Sequence, residues 1–186
     1  WKEEQLAWIF EFITEQLKLD PSKIYVTVFS GIDSIGRDDE SIKIWQELFQ
    51  SKNIQDTKYA LLGTLEEASQ KGMNNGERIF GYGYKNWWSR TGSPKDMPAG
   101  EPGGPDSEIF YDFGTSHDSN FGEKCHPNCD CGRFLEIGNS VFMEYRKKTD
   151  GDFEKLPQRN VDFGGGLERM TAASENRPDI FETSVF

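Results

Sequence analysis

Apolar residues recur at helical spacing near the start of the chain: Leu6, Ile9, Phe10, Ile13 and Leu17 fall on one stripe. That period puts them on one side of a helix, so the pattern predicts a helix over residues 3–17, ended by Asp20-Pro21. The run Ile24-Tyr25-Val26-Thr27-Val28-Phe29 is β-branched and aromatic and reads as a strand. A polar loop, residues 30–38, follows. Ile44, Trp45, Leu48 and Phe49 give a second helix over 41–49. Thr64 and Glu67 form a capping-box pattern that starts a short third helix, 64–71. Residues 72–104 read as loop-rich, although the adjacent Trp87 and Trp88 argue against disorder. Ile109 to Asp112 is a strand. Residues 134–145 form the longest strand candidate, with Leu135, Ile137, Asn139, Val141 and Met143 on one face. Phe134, Glu136, Gly138, Ser140 and Phe142 take the other, and the polar Asn139 stands out within an apolar row. A last strand at 160–163 leads into a helix at 167–174. The order of elements predicts an α+β domain with a mostly antiparallel sheet flanked by helices.

The stretch Val161-Asp162-Phe163-Gly164-Gly165-Gly166-Leu167-Glu168-Arg169 concentrates the chemistry. It reads as a strand, a sharp glycine turn and a helix. Asp162 closes the strand, and glycines let backbone approach a ligand without an intervening Cβ. The helix start offers free N–H groups to an anion, and Arg169 lies in its first turns. A carboxylate for a cation, bare backbone and a guanidinium together suit an amino acid beside a nucleotide.

The chain has 186 residues, enough for one domain or part of a larger one. Its formal net charge is -11, so its surface repels phosphate backbones on average. Any grip on RNA is then expected outside this piece or in a local basic patch. No apolar run is long enough to span a membrane, and no secretory signal opens the chain. The start at Trp1 without Met and the close at Phe186 suggest an internal piece of a longer protein. All 3 cysteines fall within Cys125–Cys131, which makes no disulfide framework and fits a reducing cytoplasm. Cys125, Cys129 and Cys131 with His126 or His117 could complete a tetrahedral Zn2+ site of structural character. A loop of reduced thiols is the alternative.

Five stretches carry a resemblance. They are Phe134-Leu135-Glu136-Ile137-Gly138-Asn139-Ser140-Val141-Phe142-Met143-Glu144, the glycine stretch above, Asn86-Trp87-Trp88, Gly104-Pro105-Asp106-Ser107-Glu108-Ile109-Phe110-Tyr111-Asp112, and residues 1–29. Together they resemble, in order and over nearly the whole chain, the catalytic core of the alanyl-tRNA synthetases, which are class II aminoacyl-tRNA synthetases. The resemblance implies a class II-like sheet, incomplete here: motif 3 is present, motifs 1 and 2 are not, and 1–186 is the C-terminal portion of the aminoacylation domain. It implies ATP-dependent attachment of alanine to tRNA(Ala) through alanyl-adenylate, with Mg2+, in the cytoplasm, and no activity for this piece alone. Within the resemblance, Asp162 pairs the alanine ammonium, Asn139 helps hold alanine and Trp88 limits side-chain size. Arg169, Gly164 and Gly166 sit at ATP, and Glu108 supports the site.

The chain also departs from the pattern. The family usually has Trp where this chain has Gly138 and Thr where it has Phe163. Its Gly-Pro-Cys repeats are here Glu101-Pro102-Gly103-Gly104-Pro105-Asp106. The stretches 94–102 and 125–131 stand outside the common bacterial pattern and suggest a divergent branch. A non-catalytic synthetase-like binding or regulatory module is the rival reading. The presence of Asp162, Asn139 and Arg169 together speaks against it. The acidity disfavours a zinc-stapled RNA-binding module.

Overall fold

A computed structural model describes residues 1–32 and 34–186. Its helices are α1 (Lys2–Glu11), α2 (Asp39–Ser51), α3 (Leu65–Lys71) and α4 (Leu167–Glu175). Its strands are β1 (Ile24–Phe29), β2 (Lys58–Gly63), β3 (Glu77–Tyr82), β4 (Trp87–Ser89), β5 (Pro102–Asp112), β6 (Phe134–Lys147) and β7 (Phe153–Gly165). They form one 7-stranded sheet in the order β2-β3-β1-β5-β6-β7, with β4 paired to β5. β2 with β3 and β3 with β1 run parallel. All other pairs are antiparallel, so the sheet is mixed but mostly antiparallel, as expected. No helix among the described residues is long and apolar enough to cross a membrane.

Helices α1 and α2 settle on one face of the sheet because their apolar stripes match its inward positions. Leu6, Ile9 and Phe10 of α1 and Trp45 and Phe49 of α2 pack with Val26, Val28, Ile79, Ile109 and Ile137 in one buried cluster. The Trp45 indole N–H donates to Ser107 Oγ at 2.8 Å, so this bulky ring is buried with its polar atom satisfied. At the start of α1, buried Lys2 pairs with Asp38 at 2.9 Å and Glu144 at 3.2 Å, tying the helix to the α2 cap and to β6. The opposite sheet face is partly covered by α3, through Leu62, Ala68, Phe80 and Tyr82. The rest of that face carries the polar residues of the candidate site.

Several local expectations change. The first helix becomes a π-helical turn over Phe12–Gln16. Residues 72–104 are loop-rich, as read, but β3, β4 and the start of β5 also lie there. The start of β5 needs its glycines, since a Cβ on Gly104 would sit 1.9 Å from the Phe142 carbonyl oxygen. The glycines of residues 164–166 make no sharp turn. Gly164 and Gly165 continue β7, and Gly166, at φ -80 and ψ 116, caps α4 in extended conformation. In β6 the simple alternation breaks: Ile109 pairs with Gly138 but Phe110 with Glu136, which leaves Ile137 as an extra residue. Such a bulge shifts the facing of what precedes it. Glu136 therefore joins Asn139 on one face, while Ile137 goes into the core beneath α1 and α2.

Candidate functional site

Register places the polar residues. Glu108 of β5 lies opposite Asn139 of β6, and Asp106 opposite Val141. Asn139 lies opposite Gly164 of β7, and Val141 opposite Asp162. Paired residues project to the same side. Asp106, Glu108, Glu136, Asn139, Asp162 and Gly164 therefore share the face away from α1 and α2.

Glu108 is the hub. It is 2% exposed. Its Oε2 accepts from Thr27 Oγ1 at 2.7 Å, Asn86 Nδ2 at 3.2 Å and Asn128 Nδ2 at 3.2 Å. Its Oε1 takes the Lys85 ammonium at 2.6 Å. Burial works against the charge on Lys85, but Glu108 outweighs it and the lysine titrates above its ordinary value. Asn86 Nδ2 also donates to Asp106 at 2.9 Å. Asp106 is buried beside the Glu108 carboxylate, and burial first, then that neighbour, push it up to about 8 despite the hydrogen bonds from Asn86 and Asn139. Glu136 is also raised, by burial and by Glu108.

The motif residues take distinct places around this hub. The Asn139 side-chain oxygen is buried, with no hydrogen-bond partner among the described residues. An acceptor left unpaired on a partly dry surface costs about 1–3 kcal/mol, which a donor arriving there would recover. Asp162 is exposed, with Oδ1 accepting from the Phe163 N–H at 3.0 Å. Among the described residues nothing lies within 4 Å of the place a Cβ on Gly164 would occupy, so the surface between Asn139 and Asp162 is open above bare backbone. Arg169 approaches Glu136 at 3.4 Å. Its side chain lies back across Gly166, where a Cβ would stand 2.6 Å from Nε. Lys85, Glu136, Asn128 and Arg169 line a cavity of about 440 Å³. Asn139 and Asp162 lie on the sheet face beside it and do not line it. Trp88 is 38% exposed on β4, opposite Gly104, and does not line it either. Trp87 packs on Phe29, Tyr145 and Phe153 in a small core.

The cysteine loop forms a second centre. His117, Cys125, Cys129 and Cys131 bring their ligand atoms within 4.8 Å of one another. The group is suited to hold a metal ion. Of the two histidines read as candidates, His117 is in the group and His126 is not. It is buried, with Nδ1 against the Tyr82 hydroxyl at 2.8 Å, and burial lowers it to about 4. The chain folds His117 back to the thiols instead, a contact that sequence spacing does not reveal.

The family described as tRNA synthetases class II (A) matches residues 1–186. The chain belongs to that family. Among similar proteins, an alanine–tRNA ligase of Treponema denticola is 36% identical over 190 residues, covering 100% of this chain and 26% of that protein. One of Treponema pallidum is 35% identical over 187 residues, with 100% and 26% covered. One of Petrotoga mobilis is 34% identical over 187 residues, with 100% and 17% covered. The chain thus spans 26% or less of these relatives' length. Around Glu108 the structure gathers further polar residues to which the sequence reading gave no role. Thr27, Lys85, Asn86, Asp106, Asn128 and Glu136 all meet at or beside Glu108. Thr27, Asn86, Asp106 and Glu136 lie within the stretches that carry the resemblance, whereas Lys85 and Asn128 lie outside all five.

Proposed function

We propose that this chain is the C-terminal portion of the aminoacylation domain of an alanine–tRNA ligase working in the cytoplasm, and that it holds alanine and one side of ATP. The observation that carries the reading is the pairing of an unpartnered, buried Asn139 oxygen with the open backbone at Gly164 and the carboxylate of Asp162 on one sheet face. An α-ammonium needs an opposite charge and hydrogen-bond acceptors when it leaves water. Asp162 supplies the charge and Asn139 the acceptor. Trp88 limits the length of the side chain that fits.

Arg169 grips ATP with its planar fork, which suits phosphate and can stack on adenine. Gly164 and Gly166 let the nucleotide lie close to backbone. The carboxylate of alanine attacks the α-phosphorus, forming the acyl–phosphate bond as pyrophosphate leaves. The terminal ribose hydroxyl of tRNA(Ala) then takes the alanyl group and AMP departs. No side chain of this piece acts as a covalent nucleophile; its part is positioning and charge. Mg2+ would neutralise phosphate charge there, and Glu136 and Asp130 are the carboxylates lining the cavity that would hold it. Glu108 holds Lys85, Thr27 and Asn86 in place. A structural Zn2+ on the cysteine loop completes the reading.

The test is Asp162→Ala in the protein that carries this chain. Alanine-dependent exchange of pyrophosphate into ATP should fall by at least a hundredfold, on the order of 2.7 kcal/mol for a desolvated ion pair. Unchanged exchange overturns the pocket assignment.

A further inference from the structure

The cysteine loop does more than close on itself. Asn128 lies between His126 and Cys129 and donates to Glu108, the hub of the polar face, at 3.2 Å. His126 meets Tyr82 at 2.8 Å. Arg133, just past Cys131, forms a two-pronged pair with Asp112 at 2.9 and 2.8 Å. Residues around Asn128 also wall the cavity that Lys85 and Arg169 line. The loop is thus fastened to the sheet at three points, and the middle one is the site itself.

The geometry of the thiols and His117 fits one tetrahedral ion. Ligand atoms about 2.3 Å from a tetrahedral centre stand about 3.8 Å from one another. Cys125 Sγ and Cys131 Sγ are 3.6 Å apart, and Cys129 Sγ is 3.8 Å from His117 Nδ1. The sulfur separation is far beyond a disulfide bond, which is about 2.05 Å. A second observation is independent of those distances. His117 Nε2 lies 3.0 Å from the Gly122 carbonyl oxygen, which only accepts. Nε2 therefore carries a proton, and Nδ1 is the ring nitrogen that faces the sulfurs. A ring N–H held by a backbone carbonyl is the usual outer support of a metal-bound histidine.

We propose that His117, Cys125, Cys129 and Cys131 hold one Zn2+ and that this ion clamps Asn128 onto Glu108, so that occupancy of the loop sets the affinity of the neighbouring pocket for alanine. The metal part deepens the zinc reading above. The coupling to the pocket rests in addition on the alanine site as proposed.

The experiment uses the protein that carries this chain, in unaltered form and as Cys129→Ser, His117→Ala, His117→Cys, His126→Asn and Asn128→Ala. Zinc per chain is measured after gel filtration, and alanine and ATP KM values are measured by pyrophosphate exchange. Cys129→Ser and His117→Ala should each contain one equivalent less zinc than the unaltered protein. His117→Cys, His126→Asn and Asn128→Ala should retain it. Cobalt-loaded protein should show a thiolate-to-cobalt absorption that Cys129→Ser loses, a readout independent of catalysis. Asn128→Ala and Cys129→Ser should each raise the alanine KM about tenfold, the scale of losing an outer support. Their combination should raise it no further. Equal zinc in all variants, or loss of zinc in His126→Asn alone, overturns the site. A Cys125–Cys131 disulfide found in the protein purified with its thiols protected overturns it as well. Loss of zinc with an unmoved alanine KM overturns the clamp and leaves the ion standing. A failure of the alanine pocket itself is read separately, from Asp162→Ala.

Discussion

The ring of Phe163 lies against the backbone of Gly138: a Cβ at Gly138 would stand 3.0 Å from the ring's Cζ. These are the two positions where the sequence departs most plainly from the synthetase pattern, which has a large residue at the first and a small one at the second. Gly138 lies opposite Gly165 and Phe163 opposite Ser140, so both sit on the face away from Asn139 and Asp162. The two departures exchange volume across one strand pair and leave the polar face untouched.

That exchange predicts strong coupling. Gly138→Trp alone should destabilise by about 1–3 kcal/mol through overpacking. Phe163→Thr alone should cost about 1 kcal/mol in lost apolar contact, because the ring is only partly buried. The double variant should recover at least half of the summed loss. Urea unfolding of the four proteins measures the cycle, and an interaction below about 0.5 kcal/mol would mean the positions are independent.

The buried carboxyl of Asp106 gives a pH dependence of known sign. Its folded-state value is near 8, against 3.8 for the free side chain, chiefly because burial disfavours the anion. Between those values the folded chain holds a proton that the unfolded chain has released. Stability contributed by this group is full below about 4 and is lost as pH rises through about 8. Asp106→Asn, which mimics the protonated form, should flatten the fall of unfolding free energy between pH 5 and 8 and should match or exceed the unaltered protein at pH 8. Denaturant curves at several pH values decide it. Parallel slopes for the two proteins would show that Asp106 is ionised throughout.

Much of this architecture was legible in the residues, and the omissions have physical causes. β1 appears within its expected bounds because its β-branched run is unbroken, and the Thr64–Glu67 capping box forms as read. β2 and β3 escaped notice. They are short parallel strands fixed by neighbours distant in sequence, and β2 carries Leu61 at 55% exposure where alternation would bury it. β7 starts earlier than expected, since its first half is a polar edge whose side chains need no core. Glu136 could not be placed by alternation, because one extra residue at Ile137 moves it to the other face. Asn139 and Asp162 were visible as polar exceptions in apolar surroundings. Lys85, Thr27 and Asn128 were not, because a hydrogen-bond hub drawn from separate segments leaves no periodic trace. The choice between His117 and His126 rests on the path of the loop, which spacing alone does not fix.

The contact of Arg169 with Gly166 separates a nucleotide role from a structural one. The backbone of Gly166 is extended and would accept alanine without strain, but the new methyl would collide with Nε of Arg169, 2.6 Å away. The guanidinium must then swing off the strand end. If Arg169 grips ATP, Gly166→Ala should raise the ATP KM about tenfold, the kinetic equivalent of losing about 1.4 kcal/mol from one charge-assisted hydrogen bond. The alanine KM should hold within twofold, because Asn139 and Asp162 lie two strand positions and more from the new methyl. Pyrophosphate exchange measured against each substrate in turn gives both numbers, with far-UV circular dichroism as the check on folding. A joint rise of both constants would point to a disturbed junction of β7 and α4. An unmoved ATP KM would show that the guanidinium serves Glu136 alone, and would leave the nucleotide side of the pocket to residues outside this stretch.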